Sequence, residues 1–73
     1  MAENERTTRV GYANSLLLAI YPTPYNDSDF LCMVKYRTLL EIDLTESTED
    51  FYKVSTAIGV EGYCRKDQVT IKF

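Results

Sequence analysis

The 73-residue chain has no histidine and only two cysteines, Cys32 and Cys64. Without histidine, and without a Cys-x-x-Cys pair, the sequence offers no recognisable set of zinc ligands. Two cysteines are too few for a disulfide framework, so we expect both to be small, buried, apolar side chains. A single cross-strand disulfide stays open as the alternative, because spacing along the chain cannot decide it. The sequence predicts neither a metal site nor a cofactor.

The residue combinations that usually mark an active site are missing as well. The sequence has no Gly-rich phosphate loop and no nucleophile paired with a base. Cys64 precedes Arg65 and Lys66, and neighbouring positive charge lowers the pKa of a thiol. Its position in an alternating segment directs that thiol inward, away from a substrate. We therefore expect a protein that is not an enzyme.

Basic residues and long apolar runs are also scarce. The chain has 8 Lys and Arg against 11 Asp and Glu, which gives a net charge of -3. Nucleic acids and anionic bilayers are bound mainly through basic side chains, so we expect neither as a partner. No run approaches the roughly 18 apolar residues of a membrane helix, and the polar start resembles no signal peptide. The expected location is cytoplasmic as made.

The remaining sequence has the period of short β-strands. Leu40, Ile42 and Leu44 alternate with Glu41 and Asp43, which is typical of a half-buried strand. Turn residues separate such segments at regular intervals, which indicates a sandwich or a barrel. The predicted strands cover residues 15–21, 30–35, 38–45, 51–57 and 60–64, with a short sixth at 68–72.

These strands predict one small domain. Residues 1–9 are expected to form a flexible tail and residues 10–73 the domain, with a loop at 22–29 that contains both prolines. Gly59 is predicted in a tight turn, and Gly62 at a bulge or close backbone approach. A partly closed barrel is favoured because closure removes exposed strand edges. An oligonucleotide-binding barrel is the rival, but it needs a basic face.

Four segments in this order resemble the bacterial SH3 (SH3b) family. They are residues 16–18 in the first predicted strand, 35–38 at a turn, 51–54 with the pattern aromatic-Tyr-Lys-Val, and 62–64 before a short 3-10 turn. The resemblance spans about residues 16–71 and implies an all-β, SH3-like barrel of five to six short antiparallel strands. Arg37 replaces the glycine of the family's turn. The expected inward residues are Leu17, Ala19, Cys32, Val34, Leu40, Ile42, Val54, Cys64 and Val69.

The resemblance also implies a binding role. Relatives in cell-wall hydrolases and phage-encoded proteins bind peptidoglycan peptides or other proteins, and eukaryotic SH3 domains hold Pro-rich peptides in an aromatic groove. Tyr21 matches the first tyrosine of that groove, and Phe51 stands where the tryptophan would be. Thr23, Arg65 and Gln68 replace the other tyrosine, the proline and the last tyrosine. The expected site is therefore an incomplete groove.

Two interpretations remain for this region. The aromatic rings of this region, including that of Tyr63, either bind a ligand or only cover a thin core. The carboxylates of the neighbouring loops either attract a cationic group or are solvated surface charges. We expect a non-enzymatic module that binds a protein, a peptide or a cell-wall peptide. The alternative is an assembly subunit of a phage or mobile-element complex, for which a virion location or release by lysis is compatible. The predicted ligand-binding residues are Tyr21, Tyr25, Asp27, Asp29, Glu49, Phe51 and Gln68.

Overall fold

The computed structural model describes residues 7–25 and 29–72, and it confirms the predicted all-β character. This part of the chain contains seven β-strands, one 3-10 turn at Lys66–Gln68 and no α-helix. The strands are β1 (Thr8–Ala13), β2 (Leu17–Ile20), β3 (Cys32–Lys35), β4 (Leu39–Asp43), β5 (Phe51–Ser55), β6 (Glu61–Arg65) and β7 (Val69–Lys72).

The first strand, β1, is the element that the sequence did not reveal. Thr8 and Arg9, which were expected in a flexible tail, pair with Asp43 and Ile42 of β4. The two positions of β1 that are buried are Gly11 and Ala13. Because both residues are small, this strand carries no alternation of large apolar side chains, and its period is hidden.

The strands form two antiparallel sheets that pack around one core. The larger sheet has the order β6-β5-β4-β1-β7, and the smaller one is the β2–β3 hairpin. An isolated bridge joins them, in which the Tyr21 and Tyr63 N–H groups donate to each other's carbonyls at 2.7 and 2.8 Å. The sheets are not closed into a barrel, so the predicted closure is wrong. One edge of β3 pairs with no strand of the described residues.

The core confirms most of the predicted inward residues and corrects the face of β2. Leu17 was predicted inward but is 55% exposed, and Ala19 is only half-buried, whereas Leu18 and Ile20 are fully buried. The half-buried Cys32 and Val34 pack against the core. Residues 16–20 are all apolar, so their pattern could not choose a face. The buried side chains are Ala13, Leu18, Ile20, Leu40, Ile42, Phe51, Val54, Cys64 and Val69.

The two glycines singled out in the sequence have the predicted roles. Gly59 has a φ of +92° in the turn between β5 and β6, a conformation that few other residues adopt. Gly62 lies where a Cβ would be 2.5 Å from the Tyr21 carbonyl oxygen and 2.7 Å from Ile20 Cγ2. The absence of a side chain at Gly62 therefore lets the hairpin approach the large sheet.

Candidate functional site

The structure brings two residues of the predicted aromatic site together, but their rings pack over the core. The rings of Tyr21 and Phe51 meet edge to face with centroids 6.3 Å apart, and the bridge to Tyr63 holds the Tyr21 backbone. Phe51 is only 3% exposed, and Tyr21 is half-buried. These rings cover one end of the core and leave little of Phe51 for a ligand to touch.

The other predicted site residues are not joined to this aromatic pair. Tyr25 is 64% exposed, and Asp29 and Glu49 are exposed in loops. Gln68 is half-buried in the 3-10 turn, where its carbonyl accepts a hydrogen bond from the Asn14 N–H at 2.9 Å. Asp27 lies outside the described residues. The structure therefore forms no single site from these side chains.

A different feature stands out next to β3, and we call it the β3 groove. This apolar groove has a volume of about 400 Å³ and lies between β3, the start of β4 and the β5–β6 turn. Three of its apolar side chains are well exposed: Met33 by 46%, Leu39 by 57% and Ile58 by 85%. Its full lining is Cys32, Met33, Val34, Thr38, Leu39, Thr56, Ala57 and Ile58.

The sequence did not predict this groove because its lining residues lie in segments whose local pattern does not mark them as exposed. Residues 30–34 are all apolar, and Leu39 is followed directly by Leu40, so neither segment separates exposed from buried positions. Ala57 is predicted to end a strand and Ile58 to lie in the following turn, where apolar residues carry no signal of function. The exposure of large apolar side chains is informative only once neighbouring segments place several of them together.

The free edge of β3 adds hydrogen-bonding groups to the groove. The Tyr36 N–H donates to the Leu16 carbonyl at 3.1 Å, in register with the β2–β3 ladder. Backbone groups in an antiparallel strand point alternately to its two sides. The N–H and C=O of Met33, three residues before Tyr36, therefore point away from β2, toward the edge that no strand of the described residues covers.

Positive charge lies in the segment that connects β3 to β4, beside the groove-lining residues in sequence. Residues 30–40 contain Lys35 and Arg37 and no Asp or Glu, although the whole chain carries a net charge of -3. Both cationic residues are exposed. The Arg37 guanidinium lies 5.3 Å from the ring centroid of Tyr12 and 5.9 Å from that of Tyr36. The lining of the groove itself is apolar apart from two threonines, and the two cationic residues, with Tyr36, come between its lining residues Val34 and Thr38 in the chain.

Acidic side chains gather elsewhere, on the outer face of the large sheet. Glu41, Ser55 and Glu61 are directly opposite one another on β4, β5 and β6. They line a polar depression of about 260 Å³ together with Asp43 and Lys53. Among residues 7–25 and 29–72, no group of acidic, Cys or His side chains has the arrangement of a metal site. This face is a solvated, charged surface.

The two cysteines differ in their surroundings. Both are free, so the alternative of a disulfide between them is not realised. Cys64 is fully buried, and this burial raises the pKa of its thiol from 9.0 to about 12. The neighbouring Arg65 and Lys66 do not offset this effect. Cys64 is therefore a core residue and has no reactive thiolate near neutral pH.

We expect native protein treated with a maleimide near pH 8 to be labelled at Cys32 and not at Cys64. The reagent reacts with the thiolate, and burial keeps the Cys64 thiol protonated and inaccessible, whereas Cys32 is only partly buried. Peptide mapping by mass spectrometry identifies the labelled residue. A Cys32→Ser variant serves as the control and should react only after unfolding in denaturant. Fast labelling of Cys64 in the native control would contradict the packing described here.

Comparisons of the chain with family models, with curated proteins and with solved structures gave no significant match in any of the three searches. In the part of the chain that the structure describes, no helix has the length and apolar character needed to cross a bilayer.

Proposed function

We propose that the protein is a non-enzymatic binding module that takes an extended segment of another protein into the β3 groove. The observation that carries this proposal is an apolar groove beside an unpaired strand edge. An exposed edge provides main-chain hydrogen bonds for an added strand, and adjacent pockets select its alternate side chains. Met33 supplies both features, through its outward backbone groups and its half-exposed side chain.

The residues around the groove suit protein recognition. Met, Tyr and Arg are enriched in the centres of protein interfaces, and Met33, Tyr36 and Arg37 lie close together in sequence and are all exposed. Methionine is flexible and packs against side chains of different shapes. The flanking Leu39 and Ile58 add apolar surface that binding would remove from water.

The resemblance to SH3-like modules agrees with a binding role but favours a different surface. In that resemblance, Phe51 would form a wall of the ligand groove, and here its ring is buried against Tyr21. A ligand at that surface would meet the half-buried Tyr21 and the exposed Tyr25 instead. Pro-rich peptides and peptidoglycan fragments therefore serve as competing ligands in the experiment that tests the proposal.

The test is an NMR titration of the isotopically labelled protein. The probe is an unstructured peptide of about eight residues, close to the length of a typical strand, in which Val alternates with polar residues. We expect amide shifts in β3 and in residues 56–58. Shifts confined to Tyr21, Tyr25 and Glu49 on addition of a Pro-rich peptide or a peptidoglycan fragment would instead support the site predicted from sequence and contradict the proposal.

Met33→Lys is expected to weaken binding of the alternating peptide by about tenfold to thirtyfold, as truncation of an interface hot spot does. Because Met33 is 46% exposed, the substitution should change the free energy of unfolding by under about 0.5 kcal/mol. The matched control is Val10→Lys, since Val10 is 47% exposed on β1 and does not line the groove. Equal affinities of the two variants would exclude the groove as the site.

A second candidate function is assembly from copies of this chain, because a free strand edge can also pair with the same edge of another copy. Sedimentation velocity over a micromolar concentration series separates the two. A monomer supports the binding module. A dimer that Met33→Lys dissociates, and that Val10→Lys leaves intact, would favour the assembly function.

A further inference from the structure

We infer that Arg37 binds a carboxylate on the segment that occupies the β3 groove, so that the partner is an extended, apolar segment of another protein with an acidic residue at one end. This inference rests on the proposed function and specifies the chemistry of its ligand. Three properties of Arg37 carry it: its backbone conformation, its position between two tyrosines, and its lack of an acidic partner in the described residues.

The backbone of Arg37 is held in an uncommon conformation. Its φ is +69°, and it is the one non-glycine residue with positive φ in the part of the chain that the structure describes. For a residue with a Cβ this region is about 1–2 kcal/mol less favourable. Its N–H donates to the Ala13 carbonyl at 2.8 Å, and the Thr38 N–H donates to the Lys35 carbonyl at 3.0 Å. These bonds fix the turn that presents the Arg37 side chain.

The side chain is held by aromatic rings on β1 and on the turn. Contacts with Tyr12 at 5.3 Å and with Tyr36 at 5.9 Å stabilise the cation and reduce the freedom that it would lose on binding. Within residues 7–25 and 29–72, no carboxylate forms an ion pair with Arg37. The planar guanidinium therefore keeps N–H groups for a bidentate bond to a carboxylate.

Arg37 is next in the chain to residues that line the β3 groove. Thr38 and Leu39, which follow it in the chain, line the groove, and Tyr12 lies directly opposite Leu39 in the β1–β4 register. A strand along β3 would thus place apolar side chains near Met33 and its terminal residue near Arg37. Lys35 adds a second positive charge in the same segment as Arg37, so charge complementarity favours a ligand that ends in Glu or Asp.

The experiment compares two alternating Val peptides that differ only in a terminal Glu or Gln, measured by calorimetry against three proteins. The wild type should bind the Glu peptide about tenfold more tightly, as expected for a charge-assisted hydrogen bond. Arg37→Gln should bind both peptides equally, and Arg37→Lys should keep only part of the preference because a lysine cannot form the bidentate bond. Added salt should reduce the preference of the wild type.

Each outcome has one interpretation. Equal binding of both peptides by the wild type would overturn the role of Arg37 and leave the binding module intact. No binding of either peptide would overturn both proposals. Preference for the Gln peptide would also exclude Arg37 as the group that binds the carboxylate. A preference for the Glu peptide that survives in Arg37→Gln would exclude it as well.

An Arg37→Gly variant separates ligand binding from backbone strain. Glycine adopts positive φ without a steric penalty, and this gain offsets the loss of the contacts with Tyr12 and Tyr36, so this variant should melt close to the wild-type temperature. It should nevertheless lose the preference for the Glu peptide. If it keeps that preference, the fixed turn alone, and not the guanidinium, determines the selectivity.

Discussion

Leu18→Ala is expected to lower the free energy of unfolding by about 2–5 kcal/mol, the range for removing a buried leucine. Leu18 is fully buried and belongs to the core cluster, so the substitution leaves a cavity that neighbouring side chains fill only partly. In a domain of this size, the loss is comparable with the whole stability. Denaturation in urea, followed by tyrosine fluorescence and circular dichroism, measures it.

Leu17→Ala is the matched control for this prediction, because it removes the same atoms one residue earlier. Leu17 is 55% exposed, and we expect the free energy of unfolding to change by under about 0.5 kcal/mol. The pair tests the face of β2 directly, since a shift of one residue along a strand exchanges its two faces. If Leu17→Ala lowers the free energy of unfolding more than Leu18→Ala does, the result would support the inward direction of Leu17 that the sequence pattern predicted.

Gly62→Ala is expected to destabilise the protein by about 2–3 kcal/mol, within the range for overpacking a closely packed position. The added methyl group would lie 2.5 Å from the Tyr21 carbonyl oxygen and 2.7 Å from Ile20 Cγ2. Relief of this overlap requires the backbone of β2 to move away from β6, which breaks the Tyr21–Tyr63 bridge. The melting temperature should fall by roughly 10–20 °C, given about 4–8 °C per kcal/mol at this chain length.

The control for Gly62→Ala is Gly59→Ala. A methyl group on Gly59 would have no atom of the described residues within 4 Å beyond its immediate neighbours in the chain, and the φ of +92° is the only obstacle. Gly59→Ala should therefore destabilise through local strain of about 1–2 kcal/mol and leave the bridge in place. Hydrogen exchange at the Tyr63 amide distinguishes the two variants. Protection that persists in Gly62→Ala would show that β2 and β6 tolerate the methyl group.

The β3 groove shows why a binding surface is harder to predict than a strand. Strand β4 follows from the alternation of Leu40 and Ile42 with polar neighbours, a local property of the sequence. The groove needs Met33, Leu39 and Ile58 to be brought together from three elements that are separate in the chain. Such contacts depend on the packing of the hairpin against the large sheet, which no local pattern specifies.

The predicted aromatic site shows a second limit on predicting a binding site from sequence. The sequence correctly drew attention to Tyr21 and Phe51, which do meet, but aromatic composition is the same for a core and for a binding wall. The direction of Phe51 decides between them, and it depends on how β5 and β6 pack against the end of β2. Because Phe51 is buried, the β3 groove is the better candidate for a binding surface.

The sequence by itself determined the all-β class, the position of six strands to within a few residues, and the special backbone roles of Gly59 and Gly62. Those features follow from side-chain alternation and from glycine stereochemistry, which are local. Only the tertiary structure decided the pairing of β1 between β4 and β7, the inward face of β2 and the unpaired edge of β3. Small residues in β1 and apolar residues on both faces of β2 leave no local signal, so long-range packing makes these choices.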